Sequence, residues 1–192
     1  MTNNNKNGYR SMSASDRKKF EKYLSSITKA AKFIDEHFIN KEMKYTKADN
    51  KEISVIFEKE NFMHLCGIKY KKKSVAFFKD AKKSNISLDE IEIKNDGTTF
   101  QKLEVLDKIE YIIRHGVLLT GHGVFLNLSF DSAIKAGNRN IKFAISLKDE
   151  YGNFIPISLF NTIRDQYKFP KGEKVTSIEE YDLKGKLIKK HI

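Results

Sequence analysis

The sequence has little cysteine and proline, and its 192 residues contain no long apolar run. The single cysteine, Cys66, excludes an internal disulfide framework and any zinc site built from several cysteines. With only two prolines, Pro156 and Pro170, no proline-rich linker divides the chain. No apolar stretch approaches the roughly 20 residues that a membrane helix needs, and the first twenty residues lack the apolar segment of a secretory signal. We therefore expect a cytoplasmic protein with no membrane segment, of a size that fits one domain.

Motifs that bind metals or nucleotides are also missing. The five histidines form no HExxH motif, and no pair of cysteines or aspartates stands at ligand spacing, so we expect no metal site and no cofactor. The carboxylates are scattered, which argues against a two-metal nuclease. The sequence has neither GxxxxGK[ST] nor GxGxxG, which argues against a nucleotide-hydrolysing or dinucleotide-dependent enzyme.

Positive charge, in contrast, is in excess. The 36 lysines and arginines outnumber 25 acidic residues and give a formal charge of +11, which favours an anionic partner, most simply nucleic acid. Residues 69–83 hold seven lysines and one aspartate. Their aromatic neighbours Tyr70, Phe77 and Phe78 suit single-stranded nucleic acid, because bases stack on aromatic rings among phosphate-binding lysines. The alternative is that the aromatic residues belong to the core and the lysines are only solvated.

Helical patterns dominate the first part of the chain. Residues 1–12 are polar and asparagine-rich, which predicts a disordered tail. Apolar residues at alternating spacings of three and four predict a helix over about residues 13–40. Further helices are predicted at 74–83 and from the capping box Thr98-x-x-Gln101 to about residue 114. A short helical turn is predicted to end at Gly67.

Strand patterns dominate the last third. A hairpin is predicted earlier, over residues 42–47 and 52–58. The later strands are predicted at 124–130, 140–148, 154–160, 174–181 and 185–191, where apolar and polar residues alternate. Helices followed by strands predict an α+β fold, a single domain over 13–192 in which N-terminal helices pack on an antiparallel β-sheet.

One histidine stands in a suggestive setting. His64 lies between Phe62-Met63 and Leu65-Cys66, just before the lysine-rich stretch. Such a histidine is usually a hydrogen-bonded core residue, and the alternative is a catalytic acid or base. RNA cleavage without a metal needs a base for the 2′-OH, an acid for the leaving oxygen and cations for the developing charge. Residues of these types are His64, Lys69, Lys79, Lys102, Arg114 and Ser158, although most basic proteins contain a similar set.

The stretch Phe57-x-x-Glu60-Asn61-Phe62-x-His64-Leu65-Cys66-Gly67-Ile68 resembles a family signature, His-Leu-Thr-Gly-Ile/Leu. The family is the phage-Barnase-EndoU-colicin E5/D-RelE-like nucleases, fourth class, found in phages and mobile elements. Supporting matches are Ala76-Phe77-Phe78, Lys102-Leu103-x-Val105-Leu106 and Pro156-Ile157-Ser158-Leu159. Together the matches cover about residues 45–165, and Cys66 stands where the family has threonine.

The resemblance implies a barnase/RelE-like α+β domain and a metal-independent ribonuclease. It implies that His64 is the catalytic acid or base, that Lys102 contacts the phosphate or transition state, and that Ser158 is a hydrogen-bond partner. The alternatives are that Lys102 is an ordinary lysine of a first helical turn and that Ser158 is a solvent-facing strand residue. From charge and position, the residues predicted to bind nucleic acid are Lys69, Lys71, Lys72, Lys73, Lys79 and Arg114.

The leading hypothesis is therefore an RNA endonuclease of a phage or mobile element. By analogy with anti-CRISPR proteins that attack guide RNA, a host ribonucleoprotein such as Cas9 with its guide RNA is one conceivable partner. A second hypothesis is a non-catalytic basic protein, an anti-CRISPR-type inhibitor that occupies a nucleic acid or ribonucleoprotein. A third is an interaction module that uses the helix predicted over 13–40.

Overall fold

The structure is a computed structural model that describes residues 8–192. The helices are α1 (Ala14–Glu21), α2 (Leu24–His37), α3 (Asn61–Cys66), α4 (Ser74–Lys82) and α5 (Thr98–Leu106). The strands are β1 (Tyr9–Ser11), β2 (Lys41–Lys47), β3 (Glu52–Val55), β4 (Ile68–Tyr70), β5 (Ile91–Lys94), β6 (Leu118–Thr120), β7 (Gly123–Phe125), β8 (Leu128–Phe130), β9 (Ser132–Gly137), β10 (Lys142–Glu150), β11 (Asn153–Asn161), β12 (Gly172–Asp182) and β13 (Leu187–Lys190). Short 3-10 helices span Leu88–Glu90 and Ile109–Ile113.

Seven strands close into a barrel. Their order is β12-β2-β3-β11-β10-β9-β6, and β6 pairs back to β12 through Gly172 opposite Thr120. All neighbours run antiparallel except β11 and β3, which are parallel. The prediction of an α+β fold in which helices pack on an antiparallel, barnase/RelE-like sheet is therefore wrong. Because the barrel is closed, each of the seven strands is paired on both sides. Closure requires pairings between segments that are far apart in the sequence.

A second, smaller sheet has the order β1-β5-β4. Its first strand comes from the segment predicted to be a disordered tail. Residues 1–7 of that segment lie outside the described residues, whereas Tyr9–Ser11 pair antiparallel with β5. Ser13 then caps α1 in a capping box with Asp16. Regular structure therefore starts earlier than the predicted boundary at residue 13.

The N-terminal helical region is two helices rather than one. The predicted helix over 13–40 is interrupted where the Tyr23 N–H donates to the Phe20 carbonyl in a tight turn. No glycine or proline marks this break in the sequence. The second helix, α2, buries Ile27, Ala31 and Ile34, as the apolar spacing predicts.

Helix α5 is shorter than predicted and begins differently. It ends at Leu106, and a 3-10 helix follows. The predicted Thr98–Gln101 capping box does not form, because the Thr98 hydroxyl donates instead to Asp96 at 2.7 Å. The residue before the helix is Gly97, in a left-handed conformation with φ of 78°.

The two faces of β10 serve two apolar clusters, as alternation along a strand requires. Phe143 and Ile145 join the main core with the helices, whereas Ala144 belongs to a second cluster beneath the β7–β8 hairpin. That second cluster is largely aromatic, and Phe130 stacks on Phe169 with ring centroids 5.3 Å apart. Within residues 8–192, no helix has both the length and the apolar character needed to cross a membrane.

Candidate active site

His64, Lys102 and Ser158 line one cavity of about 440 Å³. They come from α3, α5 and β11, three elements that pack together. The Lys102 ammonium donates to the Ser158 hydroxyl, with an Nζ–Oγ distance of 2.8 Å, and to the His64 carbonyl oxygen at 3.1 Å. The structure thus brings together the three residues predicted to be catalytic.

Helix α3 presents His64 at the cavity. Its Phe62, Leu65 and Cys66 are buried, and His64 lies on the exposed side. The helix ends at Gly67, in the left-handed conformation with φ of 66°, as predicted from the sequence. This end of α3 therefore sets the position of both the histidine ring and the carbonyl that Lys102 contacts.

Gly67 is needed for a second reason besides its backbone conformation. A Cβ atom at this position would lie 2.7 Å from Cδ of Lys102. The Gly67 carbonyl also accepts a hydrogen bond from the Thr99 hydroxyl of α5. The absence of a side chain at Gly67 therefore leaves room for the stem of Lys102.

Lys102 lies on the inward face of α5, beside the buried residues Thr99, Leu103 and Leu106. It is only 7% exposed. Among the described residues, no carboxylate lies within ion-pairing distance of its ammonium, whose protein partners are Ser158 and the His64 carbonyl. Burial, with a smaller effect of the Lys94 charge, lowers the pKa of Lys102 to about 8. It is therefore not the ordinary surface lysine of a first helical turn.

A β-bulge in β11 positions Ser158. In the pairing with β10, Ser158 lies opposite Ser146 and Pro156 lies opposite Leu147, so Ile157 is an extra residue. Ile157 and Ser158 both line the cavity, although the predicted alternation places them on opposite faces. Bulges often re-aim side chains in this way beside functional sites. Ser158 is buried, not solvent-facing.

Most residues that line the cavity were not predicted from the sequence, among them the acidic Asp96. Lys94, at the end of β5, and Tyr9, on β1, both line the cavity. The ammonium groups of Lys69 and Lys94 lie 4.7 and 5.8 Å from the Tyr9 ring centroid, which is within cation–π range. Lys94 is the single lysine of an acidic stretch, and Tyr9 lies in a polar segment, so neither stands out in the sequence.

The cavity lowers the pKa of His64 below its ordinary 6.5. Partial desolvation is the main cause, and the positive charges of Lys102 and Lys94 add to it. A neutral imidazole is therefore the dominant form at neutral pH. Such a ring has a lone pair available to accept a proton.

The residues predicted to bind nucleic acid are mostly elsewhere. Lys69 is adjacent to the cavity through Tyr9. The exposed turn of Lys71, Lys72 and Lys73 follows Tyr70, at the end of the small sheet opposite Lys94, and none of the three lines the cavity. Lys79 is exposed on α4 and does not line the cavity either.

Arg114 also lies outside the cavity lining. Its guanidinium pairs with Glu110 at 2.8 Å and lies over the Tyr111 ring.

The aromatic residues of the lysine-rich stretch belong to the core. Phe77 and Phe78 are fully buried, and Phe62 packs against both. Tyr70 is buried as well, and its hydroxyl donates to Asp80 at 2.8 Å. None of the three rings is available to stack on a base. Cys66 is a buried thiol whose pKa is raised by that burial, which excludes it as a nucleophile.

Comparison with known proteins places the chain in a family. The family model described as phage-Barnase-EndoU-ColicinE5/D-RelE like nuclease4 matches residues 26–191. Searches of curated proteins and of solved structures return no match. The matched region contains α3, α5 and β11, and so includes all three residues that meet at the cavity. The chain therefore belongs to this family of barnase/EndoU/colicin/RelE-like nucleases.

Proposed function

We propose that the protein is a metal-independent RNA endonuclease that cleaves by attack of a ribose 2′-OH on the adjacent phosphate. The observation that carries the proposal is the buried Lys102 ammonium, which reaches an open cavity with no carboxylate partner among the described residues. A buried charge without a counter-ion is unfavourable. An anionic ligand in the cavity supplies the missing charge, and a phosphodiester is the anion on which a nuclease acts.

His64 is the general base in this proposal. Its lowered pKa keeps the imidazole neutral at neutral pH, and its exposure at the cavity allows a 2′-OH to approach. The ring takes the 2′-OH proton as the oxygen attacks phosphorus. A deoxyribose has no 2′-OH, so the substrate is RNA and not DNA.

Lys102 stabilises the charge that develops on the phosphoryl oxygens, and Lys94 adds a second positive charge at the same cavity. Lys102 has a pKa of about 8, and this value also suits it to give a proton to the leaving 5′-oxygen. Ser158 accepts a hydrogen bond from the ammonium and so fixes its direction. The products are a 2′,3′-cyclic phosphate and a 5′-hydroxyl.

The test is incubation of the purified protein with labelled RNA in excess EDTA. The substrates include total RNA, a guide RNA bound to Cas9, and a DNA of matched sequence. We expect cleavage of RNA alone, with 2′,3′-cyclic ends, and a loss of about 100-fold or more in His64→Ala. His122→Ala, at an exposed histidine outside the cavity lining, is the matched control. Cleavage of DNA, or equal activity in both variants, would contradict the proposal.

The second candidate is a non-catalytic binding protein. The exposed lysines at 71–73, which lie outside the cavity lining, favour it. It predicts intact RNA in every lane, together with a gel shift that His64→Ala leaves unchanged.

A further inference from the structure

Three residues far apart in the sequence form a second polar cluster. His37 is the last residue of α2, Glu180 lies in β12, and His191 follows β13. Nδ1 of His37 lies 3.1 Å from Oε2 of Glu180, and Nε2 of His191 lies 3.0 Å from the same oxygen. The two imidazole rings meet edge to face, with centroids 5.4 Å apart. None of the three residues lines the nuclease cavity.

The cluster is shielded from solvent. The side chains of Glu180, His191 and His37 are 2%, 5% and 13% exposed. The other carboxylate oxygen of Glu180, Oε1, is held by the ammonium of Lys41. The Oε2 atom of Glu180 therefore faces two ring nitrogens.

We propose that His37, Glu180 and His191 form a binding site for a divalent transition metal ion, with Zn²⁺ as the best-suited ion. The ligand atoms are Nδ1 of His37, Oε2 of Glu180 and Nε2 of His191, and all three lie within 4.8 Å of one another. Ligand atoms about 2.0–2.2 Å from a tetrahedral zinc are about 3.4 Å apart. The two nitrogen–oxygen distances are close to that value. Two imidazoles and one carboxylate are a common zinc set, which leaves a fourth position for water.

The surroundings suit coordination. Lys41 occupies Oε1 and leaves Oε2 for the metal. Nε2 of His37, the nitrogen away from the cluster, lies 3.7 Å from a carboxylate oxygen of Glu36. A metal-bound imidazole is neutral and carries its proton on the nitrogen that does not bind the metal.

The site would act on stability and not on cleavage. It joins the end of α2 to β12 and to the C-terminal segment, so a bound ion cross-links three distant parts of the chain. A ligand that binds only the folded state raises the melting temperature. The absence of a local ligand motif is expected, because the three residues meet only through the pairing of β12 and β13 and their packing on α2.

The experiment is a calorimetric titration of the full chain with Zn²⁺ after removal of metals by EDTA. We expect one ion per chain and, at saturating zinc, a rise in melting temperature of about 5 °C or more. Co²⁺ bound in place of Zn²⁺ should give the visible absorption bands that are typical of a four- or five-coordinate ion. Long-range ¹H–¹⁵N spectra of the wild-type protein should show the metal on Nδ1 of His37 and Nε2 of His191.

His37→Ala and His191→Ala should each lower zinc affinity by about 10-fold or more, since each removes one of three ligands. His122→Ala is the control that should not. Circular dichroism tests whether each variant is folded. If a variant does not fold, the imidazole nitrogen shifts of the wild-type protein with and without zinc still test whether the two histidines bind the metal. Absence of stoichiometric binding, or unchanged imidazole nitrogen shifts, would overturn the proposal and leave a hydrogen-bonded cluster. RNA cleavage in EDTA is a separate readout, so this site and the proposed nuclease activity can fail independently.

Discussion

Lys102 combines a nearly complete loss of solvent with a positive charge that forms no ion pair with a described carboxylate, although Asp96 lines the same cavity. At the residue scale, the buried charge of Lys102 lowers the stability of the fold, but the proposed site needs that charge for activity. The pKa of Lys102 is about 8 in the folded chain, against an ordinary 10.5. The charged form is therefore penalised by folding below about pH 8.

Lys102→Met is expected to abolish cleavage and to raise the free energy of unfolding by about 2 kcal/mol at neutral pH. Methionine fills similar space without the charge, and the lost hydrogen bond to Ser158 offsets part of the gain. Because the folded-state pKa is lowered, the advantage is complete below pH 8 and shrinks as pH rises toward 10.5. Urea unfolding of both proteins, at neutral pH and near pH 10.5, measures this difference in the free energy of unfolding. Lys79→Met, at an exposed position, should change stability little, and a less stable, active Lys102→Met protein would refute the argument.

The two titrating groups of the cavity predict a bell-shaped pH dependence of kcat/KM. Activity should rise as His64 loses its proton, at a pH below its ordinary 6.5, and fall as Lys102 loses its proton near pH 8. Ser158→Ala removes a hydroxyl that accepts a hydrogen bond from the charged ammonium of Lys102, so the pKa of Lys102 should fall. The alkaline limb of the pH profile of this variant should therefore move to lower pH. Cleavage rates on one RNA across the pH range test this. An alkaline limb that does not move in Ser158→Ala would remove Lys102 from the role of proton donor.

At the scale of elements, the junction of α3 with α5 depends on Gly67. Gly67→Ala introduces a Cβ 2.7 Å from the Lys102 stem at a φ of 66°. The left-handed conformation costs about 1–2 kcal/mol, and the contact displaces the ammonium from Ser158. We expect kcat to fall by more than the loss of folding free energy explains. Cleavage kinetics measure the change in kcat, and thermal unfolding measures the change in stability.

Gly185→Ala is the matched control for that variant. Gly185 has a φ of 78° with no atom within 4 Å of an added Cβ, so it has the backbone strain without the contact. Its stability should fall by a similar amount while kcat stays unchanged. Equal losses of kcat in the two variants would show that the contact with Lys102 does not matter.

The elements that were predicted correctly are those with local signals. The end of α3 at Gly67, helix α4 and the hairpin of β2 and β3 follow from spacing and from turn residues a few positions apart. The turn at Tyr23 has no glycine or proline to mark it, so it depends on tertiary packing, which overrides local preference. The bulge at Ile157 does have a local mark, because Pro156 stands directly before it. For the site, the family resemblance identified three residues, whereas Lys94 and Tyr9 required the small sheet.

At the scale of the whole molecule, barrel closure could not be predicted from the strand pattern. Alternating strands are compatible with an open sheet and with a barrel alike. The closing pair, β6 with β12, is three residues long and joins segments about fifty residues apart. The parallel pairing of β11 with β3 is only two residues long and joins segments about a hundred residues apart. Such contacts leave no periodic signal in the sequence, because loop closure and register decide them.

The positive charge of the whole molecule acts over a longer range than its cavity. The chain carries a formal +11, and the exposed Lys71, Lys72 and Lys73 lie on the side of the small sheet away from Lys94. They lie outside the cavity lining, so they can steer RNA toward the protein without touching the scissile phosphate.

Replacing Lys71, Lys72 and Lys73 with glutamine should lower kcat/KM several-fold at low salt and leave kcat unchanged. The difference from wild type should vanish above physiological ionic strength, because screening then removes the steering. The matched control replaces Lys184, Lys186 and Lys189, exposed lysines of the β12–β13 hairpin, with the same change in net charge. A smaller loss is expected there. If the two triple variants lose activity equally, net charge alone steers the RNA; if the first loses kcat at high salt, its lysines contact the substrate directly.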